Sequence, residues 1–88
     1  MSDQRSDLPS GATVRRLTDL ALGWRARVRS IEGDDEISLR LLEMGLTPGT
    51  DVRLLGVAPL GDPLELELRG YRLSVRKREA WRVEIELL

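Results

Sequence analysis

The 88-residue chain contains no cysteine, no histidine and no phenylalanine, and Trp24, Trp81 and Tyr71 are its only aromatic residues. Each absence removes a class of function. Without cysteine there is no disulfide framework, no thiolate metal site and no cysteine nucleophile. Without histidine the usual general base and the commonest transition-metal ligand are missing, and no serine or threonine has an imidazole to activate it. No apolar run approaches the roughly 18 residues that span a bilayer, so no direct membrane insertion is expected. The polar stretch from Met1 to Gly11 lacks the apolar segment of a secretion signal, which makes the reducing cytoplasm the expected compartment. No glycine-rich phosphate loop follows a strand. With 14 Lys+Arg against 15 Asp+Glu the formal net charge is −1, which argues against broad affinity for nucleic acid or anionic membranes. The expectation is a protein that is not an enzyme and holds no cofactor or metal.

The chain does have enough hydrophobic residues (41%) for one packed interior and enough charge (33%) for a well-solvated exterior. Its length fits a single small domain. Met1–Ala12, with one leucine, cannot bury enough surface to offset ordering; it reads as a flexible tail before a domain over residues 13–88. Leu17 and Leu20 suggest a single docked turn. From Trp24 the apolar period is two: Trp24, Ala26 and Val28 alternate with Arg25, Arg27 and Arg29, and Ile31 falls out of phase, which places a bulge near Ser30. After Gly33 the spacing of Ile37, Leu41 and Met44 marks one face of a short helix. Asp34, Asp35 and Glu36 cap its start, and Gly45 ends it with Leu46 as the apolar contact of the C-terminal motif. Thr47-Pro48-Gly49-Thr50 fits a type II turn. Val52–Val57 is a second strand with Gly56 at a bulge, and a loop of breakers, Ala58–Pro63, follows it. Leu64, Leu66 and Leu68, then Tyr71, Leu73 and Val75 across Arg69-Gly70, then Trp81, Val83, Ile85 and Leu87, supply three more strands. Arg76–Ala80 makes one helical turn.

Five short strands and one inserted helix make a mainly β protein, a small SH3-like barrel, because a sheet this small must curl to hide its inward residues. The expected core is Val28, Ile37, Leu41, Val52, Leu54, Leu66, Leu73, Val75, Val83 and Ile85. Trp24 and Trp81 continue the inward alternation and read as core rather than as a ligand platform.

The runs Arg40–Thr50, Ala58–Pro63, Gly70–Arg76 and Glu79-Ala80, in this order and spacing, resemble the FeoA family of small cytoplasmic ferrous iron transport proteins. The likeness covers Leu17 to Ile85. It implies an SH3-like barrel and a non-catalytic accessory role beside FeoB, the membrane ferrous permease with a cytoplasmic GTP-binding domain. The same domain type ends DtxR-like metal-dependent repressors, so a stand-alone regulatory domain working with such a repressor is the alternative reading, and a small RNA-binding barrel a weaker one.

Asp34-Asp35-Glu36 could be read as a hard-cation site, but helix capping accounts for it and no nitrogen donor is present for Fe²⁺. The arginines of the first strand and Arg76, Lys77, Arg78 and Arg82 are basic groups that opposite charges on neighbouring strands can pair, so no nucleic-acid partner is expected. The turns have a purely conformational explanation, yet loops on a rigid barrel also carry recognition. On the second view the candidate partner-binding residues are Leu39, Leu42, Leu46, Pro48, Pro59, Leu60, Asp62 and Arg76. An exposed edge strand or the Leu39/Leu42 patch makes a homo-oligomer possible on sequence grounds.

Overall fold

A computed structural model describes residues 15–88; the tail expected over Met1–Ala12 lies outside the described residues. The alternating segments form strands β1 (Arg15–Arg16), β2 (Arg25–Ile31), β3 (Asp51–Val57), β4 (Leu64–Leu68), β5 (Tyr71–Val75) and β6 (Val83–Leu87). Helices α1 (Glu36–Glu43) and α2 (Lys77–Ala80) and two 3₁₀ turns, Leu17–Asp19 and Pro59–Gly61, complete the chain. The strands make one antiparallel sheet in the order β1-β6-β2-β3-β4-β5. The sixth strand is β1, whose two residues face Ile85 and Glu84; it is too short for any alternation to reveal it.

The inward residues of β2, β3, β4, β5 and β6 meet in one cluster with Leu41 of α1, Ala80 of α2 and Leu17, Leu20 and Leu46 of the connecting segments. A sheet whose inner face feeds a single cluster must coil around it. Two expected core residues, Ile37 and Leu73, are only partly buried and pack on the cluster's edge. The register shifts between Val28 and Ser30 and between Leu54 and Gly56, at the two places where the apolar phase slips in the sequence.

Helix α1 is closed at both ends by its own neighbours. Asp35 is the N-cap and its carboxylate accepts from the Ser38 backbone N–H at 3.2 Å. At the other end Gly45 N–H donates to Leu42 O (3.0 Å) and Leu46 N–H to Leu41 O (3.1 Å), with Gly45 at φ 109°. This pair of bonds is the Schellman motif, which turns the residue after the glycine back onto the helix. Leu46 is fully buried as a result, so it is withdrawn from the contact set. The next turn is clipped to β2: Thr50 N–H donates to Thr47 O (3.0 Å), Gly49 N–H to Val28 O (2.8 Å) and Val28 N–H to Thr50 O (2.8 Å).

Both tryptophans depart from the sequence expectation. Trp24 is 52% and Trp81 43% exposed. Trp24 stands just before the first residue of β2, its carbonyl still accepting from Leu54 N–H (3.1 Å), with its side chain open to solvent. Trp81 is the C-cap of α2 and not the first residue of β6, so its side chain leaves the inward phase. Its ring lies 5.8 Å from the Arg16 guanidinium and 5.9 Å from that of Arg82, an arrangement that the ring quadrupole favours. Tyr71, expected in phase with Leu73, is also exposed and donates its hydroxyl to Met44 O at 2.6 Å.

The outer face of the sheet is a charge ladder. Arg27 Nε donates to Asp51 Oδ1 at 2.9 Å, and Glu86 faces Arg27 from the other side. Glu67 lies opposite both Arg53 and Arg72. Arg16 bridges Glu32 at 2.7 Å, and Arg82 bridges Asp35 at 2.6 Å. The Arg82 hydrogen bond, followed by that of the Ser38 N–H, holds the Asp35 carboxyl below the usual carboxylate range; Arg27 does the same for Asp51. A carboxylate with a depressed folded-state pKa contributes stability that is present above its unfolded value and lost as pH falls through the folded one. The protein is therefore expected to lose stability below about pH 4. Asp35→Asn should be less stable than wild type at neutral pH and lose less on acidification, as read by thermal melts across pH 2–7.

Candidate functional site

The site is built by the loop between β3 and β4. Pro59 fixes one backbone angle, and the next two residues are left-handed: Leu60 at φ 72°, ψ 8°, and Gly61 at φ 86°. Glycine tolerates this region, whereas a leucine there is strained by about 1–3 kcal/mol. Three hydrogen bonds hold the loop in shape. Gly61 N–H donates to Ala58 O (2.9 Å), Ala58 N–H donates to Pro63 O (3.0 Å), and Lys77 N–H at the start of α2 donates to Asp62 Oδ1 (3.0 Å). Leu60 makes no use of this rigidity for packing, since its exposure is 104% of the reference value. A strained, rigidly held and fully exposed leucine is the reverse of what folding alone selects. Leu60→Asn, which accepts positive φ, is expected to leave the unfolding free energy unchanged or increase it by up to about 1 kcal/mol, measured by urea unfolding.

The fold places the other candidates in two groups. Pro59, Leu60, Asp62 and Arg76 share one corner, joined through the Asp62–Lys77 bond, with Arg76 exposed at the N-cap of α2. Asp62 thus has a structural duty, anchoring the loop to the helix. Leu39, 57% exposed, and the half-buried Leu42 belong to α1, and Pro48 is exposed on the clipped turn. Sequence reasoning missed a further apolar surface. Trp24 lines an open cleft of about 360 Å³ with Gly23, Arg25, Leu87 and Leu88; its signal, a tryptophan ahead of the first arginine of β2, is the same signal that suggested core.

Among the described residues no group of three or more Asp or Glu side chains is placed to hold a metal ion. The carboxylates whose environments are shifted, Asp35 and Asp51, are each engaged by an arginine. Glu79, nearly buried, is bound by Arg40. Among the described residues, no helix is long and apolar enough to cross a membrane. What the surface presents is a set of projecting apolar and basic side chains on a rigid frame.

Such a frame defines a small SH3-like domain. The FeoA domain model matches residues 15–87, and the chain belongs to the FeoA family. A curated relative from Porphyromonas gingivalis (strain ATCC BAA-308 / W83), a fusion of Fe(2+) transport protein A with the Fe(2+) transporter FeoB, is 34% identical over 73 residues, covering 83% of this chain and 9% of the relative. The chain thus spans about a tenth of that protein's length. Among solved structures, the FeoA-like protein of Clostridium acetobutylicum superposes with a TM-score of 0.81 at 34% identity, covering 86% of this chain and 88% of that one. The zinc complex of Stenotrophomonas maltophilia FeoA, described as a prokaryotic SH3 domain protein, gives a TM-score of 0.71 at 33% identity, covering 81% and 88%.

Proposed function

We propose that the protein is a non-catalytic accessory of ferrous iron uptake that acts in the cytoplasm by contact with a FeoB-type permease or its GTP-binding domain. The observation that supports this most is the fused relative, in which a segment 34% identical to this chain is part of the same polypeptide as the transporter. Covalent linkage gives two modules a high effective concentration, so fusion is useful where the two act at close quarters. On separate chains the same proximity requires a complementary surface. The pinned loop on a rigid domain is suited to that task, and the absence of histidine and cysteine leaves contact as the simplest means of action.

Titration of the purified chain against the full-length permease, and separately against its soluble GTP-binding domain, tests the reading. Saturable binding to one of them is expected. No binding to either, together with unchanged ferrous uptake after deletion of the chain, would reject it.

A further inference from the structure

We infer that Leu60 is the anchor of that contact and enters an apolar hole on the partner protein whose rim carries carboxylates. The inference rests on the permease reading for the identity of the partner and on this structure for the chemistry of the contact. Three observations converge on one corner of the fold. Leu60 projects fully into solvent. Its backbone is left-handed and its loop is tied by hydrogen bonds to itself and to α2, so the point and direction at which the side chain leaves the backbone are set before any partner arrives. Preorganisation of this kind removes an ordering cost from association, and single buried side chains commonly dominate an interface.

The third observation is charge. Arg76, Lys77 and Arg78 stand at the start of α2, where the Lys77 N–H holds the loop's Asp62; all three are exposed, and none is in an ion pair among the described residues. Lys77 Nζ stands close to the loop, 3.6 Å from where a Cβ on Gly61 would lie. Cations around an apolar projection complement an acidic rim around an apolar hole, the arrangement that steers encounter and fixes register. A bilayer satisfies the same charges but has no fixed shape, and it gains nothing from a side chain whose direction is held at the expense of backbone strain. A recess of defined shape does.

The test compares wild type, Leu60→Asn, Leu60→Met and a triple variant with Arg76, Lys77 and Arg78 changed to Gln. Each is titrated against the full-length permease in zwitterionic nanodiscs and against empty phosphatidylglycerol vesicles, with thermal melts to confirm folding. Leu60→Asn should bind the permease about thirtyfold more weakly, and Leu60→Met within about threefold of wild type. The triple variant should bind about tenfold more weakly at low salt and lose most of its salt dependence. Wild-type binding with Leu60→Asn equally tight would overturn the inference and leave the permease reading standing. No wild-type binding to the permease would overturn the inference; only if ferrous uptake were also unchanged after deletion of the chain would the permease reading fall with it. Leu60-dependent binding to empty vesicles, or a Leu60-dependent dimer of the chain by sedimentation, would replace the acidic-rimmed hole with a bilayer or a second copy and so overturn it.

Discussion

Truncating Leu46 to alanine is expected to destabilise the fold by about 2–5 kcal/mol, while the same truncation at Leu39 changes it by about 0.5 kcal/mol or less. Leu39 lies in the short helix that Leu46 follows, and in sequence both fit a contact surface. Leu46 is fully enclosed in the core cluster with Leu17, Leu41 and Leu68. Its removal loses apolar burial and leaves a cavity that close-packed neighbours only partly fill. Leu39 is more than half exposed on the outer side of α1. Urea midpoints of the two variants, at unchanged slope, measure the contrast. Equal costs would mean that Leu46 is not the residue the C-terminal motif of α1 turns inward.

The second large effect is at Gly45. Alanine there is expected to cost about 2–3 kcal/mol, from two sources. The backbone angle of 109° lies where a side chain is strained. An added Cβ would also overlap Tyr71 Oη and stand 3.3 Å from Leu68 Cδ1. Tyr71 can swing aside because it is half exposed, but it then gives up its hydrogen bond to Met44 O. A double-mutant cycle separates the two sources. In a Tyr71→Phe background that bond is already missing, so Gly45→Ala should cost about 1 kcal/mol less than in wild type. Strict additivity would show that the tyrosine takes no part.

These two positions also show how far the sequence can be read. The strands were legible wherever leucine or valine alternates with charge, as in Leu64–Leu68 and Val83–Leu87, because a pleated strand half in water demands that period. The bulges were legible where the period slips, and the cap and end of α1 from Asp35 and Gly45. The illegible parts are those where alternation runs past the end of the sheet. Trp24 and Trp81 carry the right phase, but one stands just before β2 and the other ends α2, and phase alone does not report which side chains the neighbouring segments cover. Leu46 is the converse: one residue has a single location, and the helix motif claims it for the interior before any surface can. At the candidate site the loop residues Pro59, Leu60 and Asp62 were visible as turn chemistry. That the leucine, and not only the glycine, takes a left-handed angle is a property of the closed loop, which no single residue encodes. The basic run Arg76–Arg78 was visible, but its place beside that loop depends on the Asp62–Lys77 bond between residues 15 apart.

As proposed, this domain serves iron uptake by touching the permease and not by chemistry of its own. Ferrous uptake in cells that retain the permease but lack this chain tests it most directly, with wild type or Leu60→Asn supplied at equal abundance. Wild type is expected to restore uptake, and the folded Leu60→Asn protein is expected not to. Full restoration by Leu60→Asn would contradict the anchor, and uptake indifferent to the chain altogether would contradict the claim itself.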